Sequence, residues 1–226
     1  MSLTLYLHPL SSYCHKVLIA LYEKQLPFEK KAVDLGNDAE RAALLALWPV
    51  GKFPVLRDEA HDRTVPESSI IIEYLDGLSP ERRMIPADPD EALQVRLQDR
   101  FLDLYVHSPM QKIIGDRLRP PGQADPFGVK EAKERLALAY GMLDARLKDR
   151  TWMEGEDFTM ADCAAAPPLF FGSMLVPFEA GYPALGAYFE RLKQRPSYAR
   201  ALEEARPFLH MVPRERAESS ASTGGV

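Results

Sequence analysis

The strongest constraint on this chain is a change of period near residue 80. Before it, short apolar runs alternate with amphipathic stretches. Leu3 to Leu7 is apolar and aromatic, and residues 13–24 put Cys14, Val17, Leu18 and Leu21 on one helical stripe. Phe28 to Val33 is a weaker strand candidate. Asp38 to Leu47 predicts a helix with Asp38 and Glu40 in its first turn, where carboxylates suit the macrodipole. Lys52 to Arg57, interrupted by Pro54, and Arg63 to Pro66 predict short strands, and Ser68 to Leu75 a further helix. This order reads as one small α/β domain with a mixed sheet.

Leu78-Ser79-Pro80 and Ile85-Pro86-Ala87-Asp88-Pro89 then punctuate the chain, as a linker would. Beyond them the pattern is helical throughout. Helices are predicted over 90–118, ended by Pro120-Pro121-Gly122, and over 127–148, 160–173, 182–194 and 197–204. Pro167 and Pro168 should kink or break the third of these. Thr159-Met160-Ala161-Asp162 has the form of a capping box before an apolar run. The expected organisation is an α/β domain over 1–80, a linker over 81–89, an all-helical domain over 90–212 and a small, polar, disordered tail over 213–226.

Composition narrows the function. The 226 residues are 46% hydrophobic and 27% charged, ordinary for a globular chain. Net charge is -5 with no long basic run, which argues against nucleic acid as a partner. No apolar segment approaches the ~20 residues that span a bilayer, so no membrane partner is expected. Met1-Ser2-Leu3-Thr4 lacks the basic start of a signal peptide. Cys14 and Cys163 are the only cysteines and lie far apart, which suits a reducing, cytoplasmic setting. With no C-x-x-C and no histidine pair at ligand spacing, no metal site is expected.

Three segments carry candidate chemistry. Ser11-Ser12-Tyr13-Cys14 has the layout of a C-x-x-C redox motif at a strand-to-helix junction, with serine in the leading place. A Ser/Cys pair cannot close a disulfide on itself, but a hydroxyl there can hydrogen-bond the sulfur of a bound thiol. A thiol of pKa ~8.5 needs a shift of about 1.5–2 units to be mostly ionised at pH 7, roughly 2–3 kcal/mol. One hydrogen bond to a charged group supplies about 1.5–3 kcal/mol. The plainer alternative is that Ser11 or Ser12 only caps the helix. Cys14 is either a nucleophile or, sharing its stripe with Val17, Leu18 and Leu21, a buried apolar residue. In Val50-Gly51-Lys52-Phe53-Pro54, a cis bond before Pro54 would turn the Phe53 backbone outward for an extended peptide. Lys52 beside it suits a carboxylate. In Pro66-Glu67-Ser68-Ser69, Ser68 and the amides after it can hold a carboxylate and Glu67 an ammonium, which together describe an amino-acid head.

Taken in order, these motifs and the capping box at Thr159 resemble the cytosolic glutathione transferases over Leu3 to about Pro207. The spacing from Ser11 to Lys16-Val17 is similar to the serine-using theta, phi and zeta classes. The resemblance implies a thioredoxin-like glutathione domain followed by a helical bundle covering the second substrate. It implies Ser11 as the thiolate-stabilising hydroxyl, Phe53 before a cis Pro54 as partner of the cysteinyl backbone, Glu67 and Ser68 for the γ-glutamyl head, and Lys52 near the glycyl end. It also implies a homodimer, with Asp99 or Asp103 reaching the partner's glutathione. Two departures stand out. The cysteine of the zeta-class Ser-Ser-Cys start is displaced by one, so that class's isomerase activity is not carried over, and Ser12 is an alternative to Ser11. Trp48-Pro49 stands where Asn-Pro is usual. An apolar electrophile would sit between Pro9-Leu10 and the middle of the long helix, against Leu10, Tyr105, Pro109 and Met110. These residues are otherwise helix–helix core. The expected activity is attack of a glutathione thiolate on that electrophile. The rivals are a thiol oxidoreductase using Cys14 and a non-catalytic binding protein.

Overall fold

The computed structural model describes residues 3–178 and 181–214. Most of the tail expected to be disordered lies outside them. The chain begins with β1 (Leu3–Leu7), α1 (Ser12–Lys24), β2 (Glu29–Ala32), α2 (Asp38–Leu47), β3 (Val55–Asp58), β4 (Arg63–Pro66) and α3 (Ser68–Leu78). The strands form one sheet in the order β2-β1-β3-β4, with β1 parallel to β2 and antiparallel to β3, and β4 antiparallel to β3. β1 is central because its alternate residues Leu3, Leu5 and Leu7 are buried. β2 carries Lys30 and Lys31 and is exposed throughout, as an unpaired edge requires. The Phe53–Pro54 peptide is cis.

The helical half comprises α4 (Pro89–Phe101), a π-helical turn (Leu102–His107), α5 (Ser108–Arg117), α6 (Pro126–Leu147), α7 (Met160–Ser173), α8 (Pro183–Gln194) and α9 (Pro196–Ala205). Side-chain caps start three of these helices. Asp88 accepts from the amides of Asp90 and Glu91, Asp125 from Gly128, and Thr159 and Asp162 form the reciprocal box on α7. The stretch read as one helix over 90–118 is thus interrupted by a wider turn. The expected break at Pro167 and Pro168 does not occur, and α7 runs unbroken through both. Residues 160–169 are buried on every side, so packing holds the helix despite two missing amide donors. Tyr198 adds a hydrogen bond from its hydroxyl to the Ala166 carbonyl, at 3.0 Å.

The segment between the halves is no loose tether. Lys24 Nζ lies 2.8 Å from Asp76 Oδ1 and donates to the carbonyls of Ser79 and Arg82. Asp76 accepts from the amides of Met84 and Ile85, both buried side chains. Met160 at the start of α7 donates its amide to the Met84 carbonyl. With Val17, Leu18, Ile19 and Leu21 all buried, α1 lies inside a core shared by both halves.

Candidate functional site

A cavity of about 510 Å³ opens where the two halves meet. Lys52, Phe53 and Pro54 line it from the loop before β3, and Glu67, Ser68 and Ser69 from the start of α3. Tyr13 enters from the first turn of α1, and Asp99, Arg100 and Asp103 close it from the helical half. The structure therefore gathers all five residues read from the sequence as glutathione ligands into one space.

Each is placed by local physics. Gly51 has φ +69, a conformation that favours glycine, and lets the chain turn into Lys52, which is exposed. Phe53 is half-buried, its ring stacked on His8 with centroids 5.8 Å apart. Glu67 stands at φ 68, ψ 120, outside the regions that side chains favour, and its own side chain makes no capping bond to α3. The amides that open α3 thus face the cavity without a cap from the preceding side chain, and Ser68 sits among them, largely buried. A non-glycine residue held at positive φ costs of order 1–3 kcal/mol and tends to mark a ligand site.

Ser11 caps α1. Its amide donates to the His8 carbonyl at 3.0 Å, and its Oγ accepts from the Cys14 amide at 3.3 Å. The hydroxyl is partly exposed and keeps its own proton to donate. Ser12 is buried, whereas Ser11 is only partly so. Ser11 is adjacent to the cavity through Tyr13 and is not itself among the lining side chains. Cys14 is fully buried, and burial pushes its thiol up to about 12, with the Ser11 hydroxyl opposing. It has almost no thiolate at neutral pH, which argues against the oxidoreductase. Cys163 is also buried, and its thiol is raised by the same cause.

The second-substrate assignments are corrected in part. Tyr105 and Pro109 do share a face, and it borders a second cavity of about 660 Å³ between α4–α5 and α6, which meets the first at Leu104 and Ser108 and has Leu138 and Met142 opposite. Met110 is fully buried, in register with Val106 and Ile113 on the inward face. The wide π turn adds a residue to the coil and rotates all that follows relative to an unbroken helix. Leu10 is half-buried beside Ser11 and lines neither cavity.

Sequence reading missed Tyr13, Ser69 and the buried cation Lys16. Lys16 was detectable as a charge within the apolar run His15 to Leu21. Asp99 and Asp103, assigned by resemblance to a partner's site, meet Lys16 within this chain. Tyr13 packs its ring against that of His107 at a tilt of 40°, centroids 4.0 Å apart, and burial pushes that imidazole down to about 3, with Lys16 adding to the effect. Among the described residues no group of three or more His, Cys, Asp or Glu is placed to hold a metal, and no helix is long and apolar enough to cross a membrane.

Residues 5–83 match the glutathione S-transferase N-terminal domain, and residues 110–196 the C-terminal domain. FtsZ-localized protein A of Caulobacter vibrioides is 30% identical over 221 residues, covering 91% of this chain and 93% of that protein. A glutathione S-transferase of Pseudomonas putida is 26% identical, covering 89% of this chain and 94% of its own length. Among solved structures, a glutathione S-transferase of Methylobacterium radiotolerans in complex with glutathione sulfonate superposes with TM-score 0.79 at 26% identity, covering 96% of this chain and 97% of that one. Fold, both domain matches and the relatives agree: the chain belongs to the glutathione S-transferase family.

Proposed function

We propose that this protein binds glutathione in the 510 Å³ cavity and transfers it, as a thiolate stabilised by Ser11, to an apolar electrophile. The observation that carries this reading is the convergence of Lys52, Phe53, Pro54, Glu67 and Ser68 on one cavity from two separate loops. Phe53 pairs with the cysteinyl backbone, and Lys52 reaches the glycyl carboxylate. Ser68 and the opening amides of α3 hold the γ-glutamyl carboxylate, while Glu67 takes its ammonium. The cysteinyl sulfur then faces the start of α1, where the Ser11 proton and the helix amides favour an anion. The thiol proton leaves to solvent. The sulfur forms a bond to the electrophilic carbon, and the leaving group departs with its electron pair.

Large apolar side chains left more than half exposed on α3, α4 and α6 (Ile70, Leu93, Leu97, Leu138 and Met142) support a homodimer, which light scattering would measure. The two buried free cysteines suit the cytoplasm. Conjugation of an activated aryl halide tests the activity. Ser11→Ala should lower kcat/KM about 10²-fold, with glutathione still bound by calorimetry.

A second reading rests on the likeness to FtsZ-localized protein A, whose name describes a location and not a reaction. A binding protein on this fold would show no conjugation with any electrophile and would be indifferent to Ser11→Ala.

A further inference from the structure

Beneath the cavity floor an ammonium is buried where the two halves meet. Lys16 on α1 is 1% exposed. Its Nζ lies 2.6 Å from Asp99 Oδ1 on α4 and 3.3 Å from Asp103 Oδ2 in the π turn, and it donates to Ser69 Oγ on α3 at 2.9 Å. Ser69 in turn donates to Asp99 Oδ2 at 2.6 Å. Four side chains therefore tie together α1, α3, α4 and the π turn.

Stability alone is a poor reason for this arrangement. Val17, Leu18, Ile19, Ala20 and Leu21, which follow Lys16, are all buried and apolar. Exchanging a buried ion cluster for apolar residues of similar volume is often neutral or stabilising. A cluster of short hydrogen bonds supplies direction, which apolar packing does not. Here the direction bears on the ligand. α1 is the helix capped by Ser11, and Ser69 directly follows Ser68. The ammonium thus joins the helix that Ser11 caps to the residue that follows Ser68, although it touches neither of those two hydroxyls. The π turn brings Asp103 to both Lys16 and the cavity wall. Burial raises the Asp103 carboxyl above the usual carboxylate range, Lys16 opposes this and Asp99 adds to it.

We propose that Lys16 is a positioning residue: by holding Ser69, Asp99 and Asp103 it fixes the start of α1 against the start of α3, and so sets the spacing between Ser11 and Ser68 to that of glutathione. The ligand part of this rests on the glutathione reading, whereas the spacing can be tested by itself.

The test compares Lys16→Met, Lys16→Arg and Ser69→Ala with wild type by three readouts. These are hydrogen exchange at the first amides of α1 and α3, affinity for S-methylglutathione, and the pKa of bound glutathione's thiol. Lys16→Met leaves two carboxylates facing each other, and if it does not fold Ser69→Ala decides, since it creates no unpaired charge. Both should speed exchange at the two helix starts about tenfold relative to the rest of the domain, the worth of one charge-assisted hydrogen bond. They should also weaken S-methylglutathione about tenfold and return the thiol pKa toward its free value, while Lys16→Arg recovers most of each. A uniform rise in exchange, with affinity and thiol pKa unchanged, would overturn the proposal and leave Lys16 a purely structural residue. If wild type binds neither glutathione nor its S-methyl form, the transferase reading falls, and the exchange pattern alone decides the positioning role.

Discussion

At the scale of single residues, Ser11 divides its hydrogen-bonding capacity. Its oxygen accepts from the Cys14 amide, and its proton remains available to donate, in the proposed function to a bound sulfur. Ser11→Ala should therefore lose both a cap, about 1 kcal/mol by chemical denaturation, and the activation of bound thiol. Ser12→Ala, at a buried position, should change stability without touching the thiol. Glu67 presents the opposite trade. Glycine accepts φ 68 without strain, so Glu67→Gly should leave the melting temperature unchanged or raised while increasing KM for glutathione several-fold. A fall in melting temperature with unchanged KM would mean that Glu67 serves the fold and not the ligand. Cys14 makes a third test. Its burial predicts that a thiol reagent modifies it only at the rate of unfolding, whereas rapid labelling of the folded protein would restore the oxidoreductase.

At the scale of elements, the π turn decides more than its six residues suggest. It presents Asp103 to Lys16 and His107 to Tyr13, and it turns Met110 into the core. Because burial holds His107 neutral down to about pH 3, the unfolded chain takes up a proton near pH 6.5 that the folded chain refuses. Stability should fall as pH drops through 6.5, by about 2 kcal/mol between pH 7.5 and 5 from this group. His107→Phe should remove that share, as urea midpoints at the two pH values would reveal. An equal pH dependence in the variant would contradict this. Most elements were legible because their signals are local. Arg63–Pro66 and the helices over 38–47 and 160–173 follow from alternation, turn residues and caps. The π turn was not read, although Pro109, two residues beyond it, marks a disturbance of the helix, because proline signals a disruption without saying which kind. The continuity of α7 through Pro167 and Pro168 was hidden too, because burial by its neighbours overrides the proline penalty.

At the scale of the whole molecule, the site exists only because two differently built halves meet. The cavity residues on the loops before β3 and α3 were readable in one dimension, each as a short motif with its own chemistry. Lys16 and Asp103 were not, since their pairing spans 87 residues of chain and depends on how the halves dock. The same docking is held at its far edge by Glu23 on α1. Arg195 donates to it through Nε and Nη2 at 2.7 and 2.8 Å, and Ser197 adds a third bond. Burial opposes ionisation of Glu23, but these donors hold its carboxyl below the usual range. Its stabilisation is therefore present at neutral pH and lost as pH falls through the folded value. Glu23→Gln should lower the melting temperature at pH 7 by a few degrees and narrow its difference from wild type toward pH 3. The most direct test of the central claim is the ultraviolet thiolate absorbance of glutathione bound to wild type and to Ser11→Ala across pH. The account predicts that the bound thiol ionises about 1.5–2 units below its free pKa in wild type and loses most of that shift in the variant. Bound glutathione that ionises at its free pKa, or a shift that survives the loss of the Ser11 hydroxyl, would contradict it.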